Sequence, residues 1–299
     1  MASDDEESFA SADETEDDET EDDEMDDLRG QDEEDEDDAS GEGQPRSRSI
    51  KDRLPNKSLH PTDCSRTREW LVERVRAAND RVAQAGTDAE PQPAALRNCT
   101  MHPYQLAGMR WALALYHADL SGILGDEMGL GKTLQAISVL ARLRSDTTAS
   151  HLFLIIAPLS TLSGWAEQLA TFCPSLPVLT YTGTAPERAV VRKSLLDGSS
   201  RGGALLSSYE PVLADGAELK AAPWSYVVID EAHRLKNRQS VLYRCLLDEL
   251  RLGSVPRLML TGTPVQNEPE EFFNLLHFAA PEVYDDAVSW ARWVARPGG

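Results

Sequence analysis

The sequence predicts a doubly wound α/β domain with a mostly parallel sheet, and three observations support this fold class. Apolar and amphipathic segments alternate over residues 94–284. Segments such as 152–156 are apolar without alternation, as expected for parallel strands that are covered on both faces. A glycine-bearing loop, residues 125–133, lies between a short apolar run and an amphipathic helix. Together these features predict successive strand–helix units.

The net charge of −22 lies mostly at the N-terminal end of the chain. Residues 1–44 contain 24 of the 51 acidic residues and a single basic one, Arg29. Because like charges repel and apolar side chains are few, we predict a disordered acidic tail. Three roles stay open for it: a solvating brush, a contact with basic partners such as histones, or an intramolecular mask over a basic DNA-binding face. The nearly neutral remainder does not exclude a nucleic-acid partner.

Residues 45–93 are predicted to form a basic linker and an amphipathic helix. The linker carries five dispersed basic residues, compatible with nuclear import or phosphate contacts: Arg46, Arg48, Lys51, Arg53 and Lys57. The helix is predicted over residues 67–85, with Trp70, Leu71 and Val82 near one face. We interpret its arginines as a solvated surface.

Cysteine spacing and hydropathy exclude several classes of protein. The four cysteines are far apart and include no C-x-x-C pair, which argues against a zinc site and a disulfide framework and fits a reducing compartment. No apolar run approaches the roughly 18 residues of a transmembrane helix, and no secretory signal is visible. We therefore expect a soluble intracellular protein without a membrane partner.

The domain over 94–284 is predicted to begin with a helix and continue as alternating strands and helices. The first helix covers 102–118, and a first strand covers 122–124. Further strands are predicted at 151–157, 177–181, 203–207, 226–230 and 257–261. Further helices are predicted at 132–143, 161–172, 187–196, 240–250 and 269–278.

The loop of residues 125–133 has the context of a phosphate-binding loop. Backbone N–H groups at a helix N-terminus attract anions, and the helix dipole adds to this attraction. Lys132 is expected to reach the β- and γ-phosphates of a nucleotide, and the Thr133 hydroxyl to bind Mg²⁺. The generic template requires glycine where this chain has Asp126. A glycine-rich turn with a chance Gly-Lys-Thr is the alternative.

A second motif is the apolar segment 226–229, which ends in Asp230 and Glu231. In parallel sheets the carboxyl ends of strands open into the crevice where ligands bind. Asp230 is expected to hold Mg²⁺ through water, because Mg²⁺ retains several of its waters in proteins. Glu231 is expected to orient and deprotonate an attacking water. A strand capped by Asp-Glu is common, but together with the loop it predicts nucleotide hydrolysis.

In order along the chain, these motifs resemble the ATPase core of helicase superfamily two, specifically its Swi/Snf-like chromatin-remodelling branch. Residues 126–133 match the phosphate loop of that branch, which carries Asp at position 126. Residues 230–237, DEAHRLKN, and 260–267, LTGTPVQN, are close to diagnostic. The resemblance implies a RecA-like first lobe, ATP and Mg²⁺ as cofactors, double-stranded DNA or a nucleosome as partner, and nuclear localisation. The stretches 223–237 and 274–284 most resemble the chromodomain-helicase-like remodellers.

The resemblance also implies roles for individual residues. Gln105 would read adenine, although a helix-capping glutamine is the alternative from the residues alone. His233 would relay the nucleotide state toward Thr261 and Thr263, and a buried structural histidine is the alternative. The nucleotide phosphates would lie against Asp126, Glu127, Met128, Gly129, Leu130, Gly131, Lys132 and Thr133. The catalytic residues would be Lys132, Asp230 and Glu231.

Contacts with DNA phosphates are implied at three places. A turn at Pro158, Leu159 and Ser160 would offer backbone N–H groups, and Ser207 with Ser208 would offer N–H and hydroxyl groups. Such contacts position a protein on DNA without reading its sequence. Lys236 would add positive charge, although a solvated surface is an equal interpretation.

A second RecA-like lobe is implied as the partner that completes the ATP site. Its arginine fingers are worth roughly 10³–10⁵ in rate in related phosphoryl-transfer systems. Residues 285–299 resemble a linker helix that is cut short, so we expect a first-lobe fragment or an incomplete gene model that binds ATP–Mg²⁺ weakly and hydrolyses it poorly. The alternatives are a histone-binding nucleotide sensor without turnover and a metabolic kinase or transferase. Residues 260–267 disfavour the kinase.

Overall fold

The computed structural model describes residues 64–84, 91–145, 151–197, 202–262, 269–284 and 286. The acidic tail, the basic linker and nearly all of 285–299 lie outside these residues, so the predictions made for them stay predictions. Six strands form one parallel sheet: β1 Gly122–Leu124, β2 Leu152–Ala157, β3 Val178–Tyr181, β4 Ala204–Ser208, β5 Trp224–Ile229 and β6 Arg257–Leu260. Their order is β1-β6-β5-β2-β4-β3, with every pairing parallel. The predicted doubly wound fold is confirmed.

Helices flank the sheet close to the predicted positions. They are α1 Cys64–Gln84, α2 Pro103–His117, α3 Lys132–Ser145, α4 Leu159–Phe172, α5 Ala185–Leu196, α6 Tyr209–Ala214, α7 Gly216–Leu219, α8 Val241–Arg244 and α9 Pro269–Ala279. The helix predicted over 240–250 is α-helical only in α8 and continues as a π-helical turn, Cys245–Glu249. In that turn the Leu250 N–H donates to the Cys245 carbonyl at 2.9 Å, so five residues separate donor and acceptor.

The start of α4 differs from the prediction and affects the candidate site. The helix begins at Leu159, two residues earlier than predicted, with Pro158 as its N-cap. Proline fits this place because its ring fixes φ and because N–H groups at a helix start lack intrahelical partners anyway. The expected turn at Pro158, Leu159 and Ser160 is therefore the cap and first turn of a helix.

The apolar run of β2 is explained by two hydrophobic cores, one on each face of the sheet. Phe153 and Ile155 belong to the core with α2, α3 and α4. Leu154 and Ile156 belong to the core on the opposite face. Because both faces are covered, every β2 residue is buried and alternation of apolar and polar residues is absent.

Helix α1 packs on α2 beside the edge strand β1. Ala78 and Leu115 lie in a small apolar cluster, against which Trp70 packs. Arg74 donates to the carbonyl of Ala118 and, at 3.0 Å, to a carboxylate oxygen of Asp119. A cation at the end of α2 is favourable because the helix dipole is negative there. Among the described residues, no helix combines the length and hydropathy needed to cross a membrane.

Arg257 joins β6 to the end of α9 from inside the protein. Its side chain is fully buried and donates to the carbonyls of Phe278, Ala279, Leu252 and Val255. Burial lowers the pKa of Arg257 to about 10, so the guanidinium stays charged at neutral pH. Arg257 therefore ties the end of α9 to the sheet.

Candidate functional site

The parallel sheet brings the predicted nucleotide motifs to one edge. The loop of residues 125–131 follows β1, Thr261 follows β6, and Asp230 follows β5. These three strands are neighbours, in the order β1-β6-β5. Since neighbouring strands lie about 4.8 Å apart, the ends of β1 and β5 are separated by about 10 Å. Segments that are about 100 residues apart in sequence therefore face a common space.

Two glycines shape the loop between β1 and α3. Gly129 has φ of +83° and Gly131 has φ of +76°, a backbone region that other residues rarely adopt. A Cβ atom on Gly131 would lie 2.4 Å from Nε2 of Gln105, so the Gln105 amide would have to shift to admit it. The chain then enters α3 directly at Lys132. The loop thus ends at a helix N-terminus, as the sequence predicts.

Lys132 folds back over its own loop. Its Nζ atom donates to the carbonyl oxygens of Asp126 at 2.7 Å and Glu127 at 2.9 Å. Met128, at the tip of the loop, is 75% exposed. The ammonium group therefore has its hydrogen-bond partners within its own loop.

Asp126, the departure from the generic template, has a partner that the sequence did not reveal. Its Oδ2 atom accepts a hydrogen bond of 3.0 Å from Nε2 of Gln135, a side chain only 1% exposed on α3. Gly108 makes room for that amide, since a Cβ there would lie 1.9 Å from Gln135 Oε1. The pair fastens the start of the loop to the helix that follows it.

Gln105 caps helix α2 and also contacts the loop, while its predicted reading of adenine stays a prediction. Its Oε1 atom accepts from the N–H of His102 at 2.9 Å, which caps α2, and its Nε2 atom donates to the Leu130 carbonyl at 3.1 Å. Tyr104 beside it is exposed, and its ring stacks on His102 with centroids 5.6 Å apart. Tyr104, Leu130 and Gly125 line a cavity of about 580 Å³.

Asp230 is anchored by two aromatic side chains. Its Oδ2 atom accepts a hydrogen bond of 2.8 Å from Nε1 of Trp165 in α4, and its backbone carbonyl accepts from the Tyr209 hydroxyl. Burial raises the pKa of Tyr209, so this hydroxyl stays protonated and able to donate. Neither contact was predicted, because 65 and 21 residues separate the partners.

Glu231 occupies a strained backbone conformation. Its φ and ψ are 51° and 49°, the left-handed region, which costs a residue other than glycine of the order of 1–3 kcal/mol. Its N–H donates to Oδ1 of Asp230 at 3.0 Å, and the carbonyl of the same peptide unit accepts from Tyr209. Both polar groups of this peptide are therefore bonded. Such conformations cluster at functional sites.

His233 lies beside Glu231 and is not a buried structural residue. Its side chain is 44% exposed, although the Nδ1 atom itself is buried, 3.1 Å from Oε2 of Glu231. The two atoms are close enough for an ion pair but are not aligned for a hydrogen bond. Thr261 is fully buried and donates from its N–H to the Leu124 carbonyl at 3.1 Å. Thr263 lies outside the described residues, so the predicted relay stays a prediction.

The predicted DNA-contacting residues fall into two groups. Leu159 and Ser160 are exposed in the first turn of α4. Ser207, by contrast, is fully buried and its hydroxyl is bonded to the carbonyls of Tyr181 and Ser208, each at 3.0 Å. The predicted phosphate contact of Ser207 disagrees with this placement, because a hydroxyl inside the sheet does not reach the surface. Ser208 is also buried, which removes its hydroxyl from the surface for the same reason.

The basic residues near the DEAH motif are paired. Lys236 Nζ lies 2.8 Å from Oε1 of Glu271, and Asn274 of α9 donates to the Lys236 carbonyl at 2.7 Å. Arg234 lies over the Tyr209 ring, 4.4 Å from its centroid. A contact between Lys236 and DNA would therefore compete with the ion pair to α9.

The end of β3 is held by a separate ionic cluster. Asp215 accepts from Arg188 Nε at 2.7 Å and Nη2 at 3.1 Å, and also from the Tyr181 hydroxyl. Arg192 Nη1 lies 3.2 Å from the same carboxylate. The hydrogen bonds from Arg188 hold the pKa of Asp215 below its usual value, with a further contribution from Tyr181.

This sheet, with a glycine-bearing loop between β1 and α3 and carboxylates after β5, defines the RecA-like class of ATPase lobes. A family comparison is more specific: the model of the SNF2-related domain matches residues 104–298. The chain therefore belongs to the SNF2-related family.

Known relatives agree with this assignment. A probable ATP-dependent DNA helicase, CHR12 of Arabidopsis thaliana, is 35% identical over 264 residues, 88% of this chain and 24% of the relative. The chromatin-remodelling ATPase INO80 of Neurospora crassa is 38% identical over 215 residues, 70% of this chain and 11% of the relative. This chain thus spans less than a quarter of the length of either protein.

A solved structure is similar as well. It is the Sulfolobus solfataricus SWI2/SNF2 ATPase core in complex with double-stranded DNA, with a TM-score of 0.55 and 28% sequence identity. The match covers 66% of this chain and 40% of that one. The closer resemblance to chromodomain-helicase-like remodellers stays a prediction.

Proposed function

We propose that this chain is the first RecA-like lobe of a DNA-dependent ATPase of the chromatin-remodelling type. In the complete motor, ATP hydrolysis would drive translocation along double-stranded DNA. The proposal depends most on one observation: the phosphate loop, Thr261 and the Asp230–Glu231 pair follow three neighbouring strands at one edge of the sheet. Family membership and the names of the relatives support the same activity.

Lys132 and the loop would bind the nucleotide. On binding, the Lys132 ammonium would leave the carbonyls of Asp126 and Glu127 and pair with the β- and γ-phosphates, while N–H groups of residues 129–133 would surround them. The Gln105 amide and the exposed Tyr104 ring would contact adenine at the cavity beside the loop. The Gln105 amide would exchange its bonds to His102 and Leu130 for the base, to which an amide offers both a donor and an acceptor.

The residues present fit a magnesium ion. Among the described residues there is no group of three or more side chains that could hold a metal by itself. Mg²⁺ in nucleotide sites needs no such group, because one or two protein oxygens, phosphates and waters complete its shell. Thr133 would supply a protein oxygen, Asp230 would hold the ion through its waters, and the ion would neutralise phosphate charge. Glu231 would orient the attacking water and accept its proton.

DNA would bind along the same edge of the sheet, at the first turn of α4. The exposed Leu159 and Ser160 lie there, and their N–H groups, which precede the Thr161 N–H bonded to the Pro158 carbonyl, would donate to phosphate oxygens. Such contacts carry no sequence preference. Pro158, as the N-cap, would set the direction in which the helix meets the backbone of DNA.

Three further parts of the proposal concern the whole protein. A second RecA-like lobe would complete the ATP site, and the protein would act in the nucleus on nucleosomes. The acidic tail, residues 1–44, would contact the basic surfaces of histones. Deleting residues 1–44 should then abolish histone binding measured by pull-down and leave nucleotide affinity unchanged. Histone binding that survives the deletion would contradict a role of the tail.

Calorimetric titration with Mg·ATP tests the central part of the proposal. Lys132→Ala should weaken the nucleotide at least tenfold, because the mutant lacks the ammonium group that would meet the phosphates. Lys193→Ala, an exposed lysine of α5, is the matched control and should bind as the wild type does. A wild-type chain that binds no nucleotide, or equal affinities for wild type and Lys132→Ala, would overturn the proposal.

A further inference from the structure

Trp165 connects helix α4 to the acidic end of β5. The indole is 2% exposed and packs in the core shared by α2, α3, α4 and one face of the sheet. Its only polar atom, the Nε1–H, donates to Oδ2 of Asp230 at 2.8 Å. A tryptophan at this place therefore does more than fill volume: it aims one donor at one carboxylate.

The hydrogen bond from Trp165 orients the carboxylate of Asp230 through an element other than its own strand. The other carboxylate oxygen, Oδ1, accepts only from the adjacent Glu231 N–H among the described contacts. Tyr209 and Ile156 hold the backbone of Asp230 by its carbonyl and its N–H. These backbone contacts leave the side-chain rotation free, whereas a donor at Oδ2 selects one rotamer.

We propose that Trp165 is a positioning residue that presents the Asp230 carboxylate, already oriented, to the hydrated magnesium ion of the nucleotide. The inference rests on the proposed function, since it takes Asp230 as the metal-binding carboxylate. Hydrogen bonds to metal-binding carboxylates fix their orientation, and their removal typically costs 10–100-fold in metal affinity. The effect of Trp165 should therefore appear in the magnesium-dependent part of nucleotide binding.

The chain offers a matched control for this test. Trp224 is also buried, at 3% exposure, and also donates one hydrogen bond, at 3.0 Å, but its acceptor is the backbone carbonyl of Leu219. Trp165→Phe and Trp224→Phe each remove one buried indole N–H and keep an aromatic ring. A general packing effect should act alike in both variants.

The experiment is a titration of the full chain with a non-hydrolysable ATP analogue, in the presence of Mg²⁺ and in EDTA. Trp165→Phe should lose about 10-fold in affinity with Mg²⁺ and remain as the wild type in EDTA, by analogy with other outer contacts of metal ligands. Trp224→Phe should match the wild type under both conditions. Equal magnesium dependence in Trp165→Phe and wild type, or equal losses with and without Mg²⁺, would overturn the proposal.

Nuclear magnetic resonance of the indole N–H groups gives a second readout on wild-type protein. The chain has six tryptophans, and one indole signal should move when Mg²⁺ is added to the protein saturated with the analogue. The same signal should be displaced in Asp230→Asn, and it should be missing from Trp165→Phe if that variant folds. Absence of any signal with these properties overturns the inference. Failure of the wild type to bind the analogue at all would remove the proposed function, and the inference with it.

Discussion

The two halves of the candidate site differ in how firmly they are held. The phosphate loop is exposed at Met128, and its lysine is bonded to the carbonyls of the loop itself. The acidic end of β5 is fastened by Trp165 and Tyr209, two buried side chains from other helices. Binding of a nucleotide would require the loop to exchange internal contacts for phosphate contacts, whereas the Asp230 carboxylate is already oriented by Trp165.

This difference has a physical origin in the sheet. Asp230 extends β5 directly: its N–H donates to the carbonyl of Ile156 on the neighbouring strand β2 at 2.8 Å. The loop after β1 leaves the edge strand of the described sheet, so strand contacts are available on one side only. Asp230, which must be oriented before a ligand binds, thus follows an interior strand of the sheet. The loop, which must surround a ligand, follows an edge strand.

The largest effect is expected from a substitution that strains the loop of residues 125–131 by adding a side chain at a glycine. Gly131→Ala places a Cβ 2.4 Å from Gln105 Nε2 at a φ of +76°. The resulting strain, of the order of 1–3 kcal/mol, should weaken Mg·ATP by up to about 100-fold in a calorimetric titration. Gly164→Ala, in α4 with no atom within 4 Å of its new Cβ, is the control and should bind normally. Normal binding by Gly131→Ala would mean that the loop has a different shape when it binds.

An effect of comparable size, on stability and not on nucleotide binding, is expected at the end of β3, where the ion pair makes the stability depend on pH. Asp215→Asn should lower the free energy of unfolding by about 3 kcal/mol at neutral pH, at the low end for a broken buried pair. Arg188 lowers the pKa of Asp215, so the stabilisation is full above the pKa of the unfolded chain and is lost as the pH falls through the lowered folded pKa. Urea unfolding at neutral pH and near pH 3 should show the difference shrinking. A difference independent of pH would exclude the ion pair as its source.

The rigid half of the site can be loosened by removing one hydroxyl. Tyr209→Phe takes away the donor to the Asp230 carbonyl and should cost about 1–3 kcal/mol in unfolding free energy, because a buried acceptor loses its partner. Tyr104→Phe, at an exposed ring, should leave unfolding unchanged within about 0.5 kcal/mol. Equal stabilities of the two variants would show that the Tyr209 contact does not hold the carboxylate end.

The smallest effect is expected from Glu231→Gln. Glu231 is proposed to act on water and not to hold the nucleotide, so the affinity for Mg·ATP should stay within about twofold of wild type while any hydrolysis is lost. Paired measurements of binding and phosphate release check this separation. Weakened binding in Glu231→Gln would place Glu231 among the groups that hold the nucleotide.

Much of the fold can be predicted from local sequence patterns. The loop of residues 125–131 and the Asp230–Glu231 pair can be predicted from the residue types at strand ends. The apolar run of β2 and the segment before Asp230 indicate buried parallel strands without further information. The contact of Trp165 with Asp230 could not be predicted, because it depends on which helix covers which strand. The burial of Ser207 was missed for a related reason, since a serine that ends a strand can face either the surface or the sheet. Asp126 was identified as unusual, but its partner Gln135 appears only once the helix is placed.

Hydrogen exchange of the backbone amides tests the central claim most directly, because it measures both halves of the site in one experiment. On addition of Mg²⁺ with a non-hydrolysable ATP analogue, peptides covering residues 125–134 should gain strong protection. Peptides covering β5 and Asp230 should be protected before the addition and change little. Protection that appears around Asp230 and not in residues 125–134, or nowhere in the chain, would contradict the account.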